Sequence, residues 1–207
     1  MRVAVIGASG RTGRSTVAHA LATGNEVVAV VRDPSRAPDG ASVRVADARD
    51  GAALSEALAG CDAVVSCLGH VPGADDPTIL RDGTEALLTA MAAAKVSRLV
   101  VISAAGAYVQ GDDPLSRYLA KPIVARLFGA AFEDTRAMES TIRASGTQWT
   151  ALRPSRLVPG VGTKPYRARI EHAIWWHYNT RFDTVGRAAV DALTTPAWVD
   201  HAVFITG

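Results

Sequence analysis

Three glycines at regular spacing stand near the start of the chain, directly after a short apolar run. They belong to Gly-Ala-Ser-Gly-Arg-Thr-Gly, which follows Val3–Ile6 and precedes an uninterrupted helical stretch. Glycine permits a tight strand-to-helix turn, a close approach of the main chain to a pyrophosphate, and close packing of the helix on the strand. The helix N-terminus adds free N–H donors and the positive end of its dipole. We therefore predict a dinucleotide site formed by Gly7, Ala8, Ser9, Gly10, Arg11, Thr12 and Gly13, although Ser9 replaces the middle glycine of the usual fingerprint.

The kind of dinucleotide depends on the residues that follow the second apolar run, Glu26–Val31. Enzymes that use NAD usually carry an acid there, which accepts hydrogen bonds from the ribose 2′-hydroxyl. Here Arg32 and Arg36 are placed to bind a 2′-phosphate, with Ser35 as an additional donor. Asp33 leaves an alternative open, because it either serves a 2′-hydroxyl or begins the next turn. We predict NADP (NADPH) as the cofactor, with NAD less favoured.

A second acidic position follows the third apolar run. Asp47 and Ala48 stand where a carboxylate can meet the adenine amino group. The alternative role for Asp47 is a helix cap, for which Asp50 is better placed. We include Asp47 and Ala48 among the predicted cofactor contacts.

The elements that must position these residues alternate along the whole chain. Short β-branched runs are continuously apolar, which indicates strands buried on both faces of a parallel sheet that helices cover. No linker or repeat interrupts them, so we predict one α/β domain over residues 1–207. Its fold is predicted to be a Rossmann-type doubly wound parallel sheet of about seven strands. The predicted strands are Val3–Ile6, Glu26–Val31, Ser42–Val45, Ala63–Ser66, Leu99–Ile102, Trp149–Leu152 and Ala202–Ile205.

Helix ends are marked by glycine and by acids before proline. A helix over Arg11–Thr23 is predicted to end at Gly24, and the Asp-Pro pairs at Asp76 and Asp113 are predicted helix caps. A further helix is predicted over Phe132–Ala144. On it, Glu139 and Arg143 lie four residues apart, in the order that suits a surface ion pair.

Residues 154–182 break the alternation. This stretch has two glycines, two prolines after Pro154 and no clear strand. It contains several arginines and one lysine but only one acidic residue before Phe182, Glu171. Long irregular segments in compact domains are usually functional. We therefore predict that Arg156, Trp175 and Trp176 contact the substrate.

Composition excludes several classes of protein. The 207 residues carry a formal net charge of only +2, whereas a nucleic-acid binder usually has a larger basic excess. Apolar runs of about five residues are far too short for a membrane helix, so a cytoplasmic protein is expected. Cys61 and Cys67 flank one predicted strand, too far apart for a disulfide, and no ligand spacing for a metal is present.

Several motifs together resemble those of a known family. They are Gly7–Gly13, Val31-Arg-Asp-Pro-Ser-Arg36, Val45-Ala-Asp-Ala48, Ser66-Cys-Leu-Gly69, Leu99-Val-Val-Ile-Ser103 and Leu152-Arg-Pro154. Over nearly the whole chain, this set is similar to the atypical short-chain dehydrogenase/reductases. The most similar branch binds NAD(P)H and includes the flavin/biliverdin reductase B type and the NmrA-like proteins. The resemblance implies that the cofactor is lined by Cys67, Leu68 and Gly69, that the nicotinamide lies near Ser103 and Ala104, and that it is covered by Pro154 and Ser155.

The catalytic residues of that superfamily do not match. Typical members pair a tyrosine with a lysine four residues later, and the cation lowers the pKa of the phenol. In this chain Tyr118 and Lys121 are three residues apart, and alanines follow Ser103 where a serine is usual. Ser103 and Tyr108 are therefore the predicted catalytic residues, although Tyr108 suits packing as well as chemistry. Ordered water and three histidines are further candidates for the proton source: His70, His172 and His177.

These observations predict an NADPH-dependent reductase of a small or aromatic carbonyl, flavin or quinone-like acceptor. One alternative is a non-catalytic redox sensor of the NmrA-like kind, which binds NADP(H) and docks a partner protein through the tryptophan region. Another is an epimerase or dehydratase that uses the cofactor transiently. The predicted partner is a small-molecule substrate, with neither nucleic acid nor membrane, and the predicted assembly is a monomer or homodimer.

Overall fold

Continuously apolar runs form a parallel sheet at the centre of the protein. The computed structural model describes residues 1–70, 76–108, 121–162 and 165–207. In those residues the sheet has eight strands in the order β3-β2-β1-β4-β5-β6-β10-β8, all parallel except β8, which runs antiparallel to β10. Its strands are β1 (Arg2–Ile6), β2 (Glu26–Val31), β3 (Ser42–Val45), β4 (Ala63–Ser66), β5 (Arg98–Ile102), β6 (Gln148–Pro154), β8 (Arg167–Ile170) and β10 (His201–Thr206). The short strands β7 (Arg156–Val158) and β9 (Asn179–Arg181) form a separate parallel pair.

Helices cover both faces of the sheet, as a doubly wound fold requires. They are α1 (Arg11–Ala22), α2 (Gly51–Leu58), α3 (Ile79–Ala94), α4 (Lys121–Arg143) and α5 (Phe182–Leu193). Alternate residues of each strand point to opposite faces. On β1, Ala4 and Ile6 pack with α2, α3 and α4, whereas Val3 and Val5 pack with α1 and α5. The predicted fold class is therefore confirmed.

Helices α1 and α5 meet in an unusually close contact. A methyl group at Gly186 would lie 2.3 Å from the Ser15 hydroxyl oxygen, so α5 approaches α1 this closely because residue 186 has no side chain. The contact is reinforced at one end, where His19 Nε2 lies 2.9 Å from Asp183 Oδ1. The second oxygen of Asp183 accepts a hydrogen bond from the Gly162 N–H at 2.8 Å. One carboxylate thus connects α1, α5 and the segment that precedes α5.

Residues 154–182 differ from the prediction, because they contain three short strands. β7 and β9 pair with each other, and β8 adds an antiparallel edge to the sheet beyond β10. The predicted count of about seven strands omits this edge. β8 is joined to the sheet by main-chain hydrogen bonds to β10. Its side chains are mostly exposed, so no apolar pattern marks this strand in the sequence.

Two predicted helix features are also wrong. Asp76 does not cap α3, because its carboxylate pairs with Arg49. The cap is Asp134 of α4, which accepts hydrogen bonds from the N–H groups of Leu80 and Arg81 at 2.9 and 3.0 Å. Helix α4 begins at Lys121, well before the predicted start, and has a kink at Phe128. The Asp113 cap lies outside the described residues.

Candidate active site

The glycine turn between β1 and α1 is built as the sequence predicts. Gly7 has a φ of +71°, and its N–H donates to the carbonyl of Val30 at 3.2 Å. A methyl group at Gly13 would lie 2.3 Å from the Gly7 carbonyl oxygen, so only glycine lets α1 start directly on the turn. At Gly10 such a methyl would have one close neighbour, the Gly7 carbonyl oxygen at 3.3 Å, and no other atom within 4 Å. The turn therefore has the shape of a pyrophosphate cradle.

The N-terminus of α1 is prepared for an anion. Gly10 offers no side-chain cap, and the first turn of α1 contains no acid. By contrast, Asp50 caps α2 and Asp134 caps α3, and α5 has Asp183 in its first turn. Among the helix starts described in full, α1 alone has no carboxylate. Its first N–H groups have no partner within the helix, and together with the dipole they favour a phosphate.

Arg14 ties this turn to the end of β2. Its Nε donates to the carbonyl of Ser9 at 3.1 Å, and its Nη2 donates to the carbonyl of Arg36 at 2.6 Å. The predicted 2′-phosphate residues Arg32, Ser35 and Arg36 are exposed beside it. A cationic surface thus lies next to the cradle, where the adenosine half of a dinucleotide would be held.

Asp33 begins the short turn after β2, which is one of the two roles that the sequence leaves open. Its Oδ1 accepts hydrogen bonds from the N–H and the hydroxyl of Ser35, at 3.0 and 2.7 Å. These bonds lower the pKa of Asp33, and they make it the first residue of a short turn. The Ser35 hydroxyl is thus a donor to this carboxylate in the structure.

The loop after β4 borders the same turn, and the residues after β3 lie at the same carboxyl edge of the sheet. Asp47 is exposed, and its Oδ1 accepts from the N–H of Arg49 at 2.9 Å, while Ala48 is buried beneath it. The carbonyl of Cys67 would lie 3.1 Å from a methyl at Gly7, so the loop that contains Leu68 and Gly69 touches the cradle directly. Burial raises the pKa of the Cys67 thiol to about 12. The neutral thiol therefore lines the turn and is not expected to act as a nucleophile.

At the end of β5, Ser103 joins a buried ion pair that the sequence analysis missed. Ser103 is 7% exposed, and its hydroxyl donates to Glu139 Oε1 at 2.5 Å. Arg153 donates through Nε to the same oxygen at 2.9 Å and through Nη2 to Oε2 at 2.6 Å. Glu139 and Arg153 are only 2% and 3% exposed. The predicted i,i+4 pair of Glu139 with Arg143 is present at 3.6 Å, but Glu139 is buried rather than at the surface, and it accepts two hydrogen bonds from Arg153.

Tyr108 lies against the same cluster. The guanidinium of Arg153 stacks over its ring, 3.5 Å from the centroid. Burial and the neighbouring Glu139 carboxylate raise the pKa of the Tyr108 phenol above its usual value. The two predicted catalytic hydroxyl groups are thus brought together, on one buried carboxylate.

A signal for Glu139 was present in the sequence. Thr135, Met138, Glu139 and Ile142 follow helical spacing on α4, and all four are buried. An acid within an apolar stripe requires a cation, and Arg153 lies on the equally apolar strand β6. The packing of α4 over β6 determines which arginine pairs with Glu139.

The β6–α5 connection (residues 155–181) is attached at the carboxyl end of β6, beside buried Pro154. The Ser155 hydroxyl donates to the carbonyl of His177 at 2.9 Å, and Arg156 Nε donates to the side-chain oxygen of Asn179 at 3.0 Å. Trp175 and Trp176 are 48% and 61% exposed, and Trp176 has a φ of +64°. Trp175 and Trp176 thus form an exposed aromatic surface on the connection that also carries Arg156.

Other predicted candidates are dispersed. His70 Nε2 lies 3.2 Å from Asp134 Oδ2, near the start of α3, and His172 is exposed. Tyr118 and the Lys121 side chain lie outside the described residues. Ala104 directly follows Ser103 and is half-buried. Across the ranges that the structure describes, no cluster of three potential metal ligands occurs, and no helix is long and apolar enough to cross a membrane.

Comparison with known families agrees with this geometry. Residues 7–196 match the NAD(P)H-binding family, a region that begins at the first glycine of the turn. The chain belongs to that family. The NAD(P)H-binding family that the motifs resemble is thereby confirmed.

Curated relatives of this NAD(P)H-binding protein match parts of it. An uncharacterized protein of Mycobacterium tuberculosis is 41% identical over 104 residues, which cover 50% of this chain and 12% of that protein. The chain therefore corresponds to a small part of these first relatives. A 3-diazoavenalumate denitrifying reductase of a Streptomyces species is 37% identical over 126 residues, which cover 56% of this chain and 41% of the reductase.

Solved structures show the same fold over the full chain. A short-chain dehydrogenase/reductase from Veillonella parvula in complex with NADP has a TM-score of 0.82 at 16% identity, covering 100% of this chain and 94% of that one. A candidate NADH-flavin reductase from Streptococcus pneumoniae has a TM-score of 0.82 at 22% identity, covering 100% and 99%. At such identities the likeness concerns the fold.

Proposed function

We propose that this protein is an NADPH-dependent reductase that transfers hydride to a flavin or quinone-like acceptor. The observation that carries the proposal is the carboxyl edge of the sheet, where an uncapped α1 N-terminus and the glycine cradle adjoin the Ser103–Tyr108 cluster. The cradle, Arg32 and Arg36 would hold the dinucleotide, which supplies the hydride when bound. Trp175, Trp176 and Arg156 are proposed to contact the acceptor.

The state of the two hydroxyl groups favours this class of acceptor. A carbonyl that accepts hydride becomes an alkoxide and needs a proton from a nearby acid. Ser103 donates to Glu139, and burial and the Glu139 charge raise the pKa of Tyr108, so both hydroxyls are poor proton donors. Flavins and quinones delocalise the added charge and take their proton from water. The names of two relatives, a reductase and a candidate NADH-flavin reductase, agree with this chemistry.

The proposal is tested by following NADPH absorbance with purified protein and a panel of flavins, quinones and carbonyl compounds. We expect oxidation with a flavin or a quinone and little with simple ketones. The Gly13→Val variant, which lacks room for the turn, is the matched negative control. Tight NADPH binding without oxidation by any acceptor would contradict the reductase assignment.

A second candidate function is a cofactor-binding sensor that docks a partner protein. It is favoured by the exposure of large apolar side chains along the β6–α5 connection: Leu157, Val161, Ile170, Trp175, Trp176 and Tyr178. A sensor would bind NADPH and NADP with different affinities yet turn over neither. Measurable turnover of any acceptor excludes a purely non-catalytic role.

A further inference from the structure

Strand β8 is an edge of the central sheet, and within the described residues no strand lies on its outer side. The sheet ends at β3 on one side and at β8 on the other, and β8 pairs with β10 alone among the described strands. An exposed strand edge presents a row of main-chain N–H and C=O groups that can pair with a further strand. Proteins use such edges to bind extended peptides.

The register of β8 on β10 shows which main-chain groups face outward. The Glu171 N–H donates to the Ala202 carbonyl at 2.8 Å, so these two opposite residues form a hydrogen-bonded pair. Such pairs alternate along an antiparallel ladder, so Arg169 is the next residue that bonds β10, and the main-chain groups of Ile170 point away from β10. Ala168 faces outward by the same alternation. No described residue bonds the main chain of Ala168 or Ile170 on that side.

The side chains of β8 divide between the two faces of the sheet. Ala168 packs against the apolar cluster on the side of α1 and α5. Side chains alternate along a strand, so Arg167 and Arg169 both point to the opposite face, where they are exposed. Arg169 donates to the Ala173 carbonyl at 3.3 Å, and no acid of the described residues lies within ion-pair distance of either arginine. The edge therefore combines open main-chain groups with two uncompensated positive charges on one face.

A second copy of the chain is a poor partner for this edge. When two β8 strands pair antiparallel through both outward-facing residues, Ala168 of each copy meets Ile170 of the other, and the two Arg169 side chains stand directly opposite each other. Opposite residues of this kind have Cα atoms about 4.5 Å apart, and like charges at that position are destabilising. The charge that opposes self-pairing attracts a strand with acidic residues at alternate positions.

We propose that the outer edge of β8 binds an extended acidic peptide of a partner protein as a further antiparallel strand. Opposite residues of an antiparallel pair share a face, so the acidic side chains stand opposite Arg167 and Arg169. Apolar side chains then stand opposite Ala168 and Ile170, and Ile170 is 36% exposed. The peptide therefore alternates acidic and β-branched residues. This inference goes beyond the reductase function proposed above and does not rest on it.

Amide hydrogen exchange measured by NMR on the whole chain tests the edge, with the acetylated and amidated peptide Glu-Val-Glu-Val-Glu-Val as the probe. In the free protein, the amides of Arg167 and Arg169 should exchange slowly, because they donate to β10, and those of Ala168 and Ile170 should exchange rapidly. The peptide should slow exchange at Ala168 and Ile170. Its isomer Glu-Glu-Glu-Val-Val-Val has the same composition and charge without the alternation, and it should not.

Arginine variants test the contribution of charge to peptide affinity. Arg169→Ala should weaken binding of the alternating peptide by about two- to fivefold, the range of one exposed ion pair, and the double variant with Arg167→Ala should weaken it further. The matched control is Arg44→Ala, which removes an exposed arginine from β3, the opposite edge strand. This control should keep the wild-type affinity.

A proline variant tests the contribution of the main chain. Ala168→Pro removes an outward-facing N–H and leaves the N–H groups that donate to β10 in place, so it should abolish peptide binding while both arginines remain. Circular dichroism and NADP binding report whether this variant folds. If Ala168→Pro does not fold, the exchange pattern of the wild type and the arginine variants decide.

Three results would overturn the inference: no binding of the alternating peptide, equal binding of its isomer, or slow exchange of Ala168 and Ile170 in the free protein. Exchange that slows as the protein concentration rises would assign the edge to a second copy instead. Oxidation of NADPH is a separate measurement. A protein that binds the peptide but reduces no acceptor refutes the proposed reductase function alone, and an active enzyme that ignores the peptide refutes this inference alone.

Discussion

Cofactor choice depends on two exposed arginines, and their removal is a direct test of the NADPH assignment. Arg32 and Arg36 follow β2 beside the glycine turn, and Arg14 anchors the main chain of Arg36. Asp33 accepts two hydrogen bonds from Ser35 and begins the turn after β2, which supports a structural role for this carboxylate. We expect Arg32→Ala to weaken NADPH binding and to leave NADH binding nearly unchanged.

The exposure of the arginines sets the size of this effect. Shielded hydrogen bonds to charged groups contribute about 1.5–3 kcal/mol each, but exposed ion pairs are typically within about 1 kcal/mol. Two exposed pairs therefore contribute roughly 1–2 kcal/mol together, which corresponds to a preference for NADPH of roughly 5- to 30-fold. Arg32→Ala should remove about half of this free energy, and added salt should diminish the remainder.

Calorimetric titration of both cofactors against the wild type, Arg32→Ala and Arg36→Ala provides the measurement. Arg2→Ala removes the same charge at the opposite edge of the sheet, and it should keep the full preference. The reasoning is refuted if the wild type binds NADH as tightly as NADPH, or if Arg32→Ala weakens both cofactors equally. In that event Asp33→Asn should weaken NADH, since Asp33 would then serve the 2′-hydroxyl.

Three further predictions concern the turn, the aromatic surface and the cluster. Gly13→Ala forces a methyl to 2.3 Å from the Gly7 carbonyl oxygen. It should lower the free energy of unfolding in urea by about 1–3 kcal/mol and also weaken NADPH binding. Gly10→Ala should weaken NADPH binding and leave the free energy of unfolding unchanged. Trp175→Ala and Trp176→Ala should lower acceptor turnover while NADPH affinity stays within about threefold; a loss of fold with no kinetic effect would show that the side chains are structural. Because the pKa of Tyr108 is raised, its neutral phenol contributes stability that is complete below about pH 10 and is lost as pH rises toward the folded-state pKa. Urea unfolding midpoints should therefore fall less steeply above pH 10 in Tyr108→Phe than in the wild type, and parallel curves would disprove this.

The sheet could be predicted because its physical cause is local. Strands such as β1 and β2 are continuously apolar, and burial on both faces demands that pattern. The end of α1 could be predicted equally well, because Gly24 has the positive φ that favours glycine. The glycine turn followed from similar logic, because Gly13 is required by contacts with Gly7 and Ala8, a few positions away in the chain.

What could not be predicted depends on contacts between distant segments. β8 has the sequence Arg-Ala-Arg-Ile with little apolar patterning, and it becomes a strand because β10 offers a free edge. Asp134 caps a helix that begins more than 50 residues earlier. The Glu139–Arg153 pair likewise requires α4 to lie over β6, which only the fold reveals.

Because residue 186 is glycine, α5 packs directly against α1. α1 carries the phosphate cradle at its start, and α5 begins where the β6–α5 connection ends. Asp183 bonds both to His19 of α1 and to Gly162 of that connection, so we expect substitutions in the connection to affect the cradle as well. A laboratory selection for a new acceptor that also alters NADPH affinity should accumulate substitutions along this seam, at positions that no ligand touches.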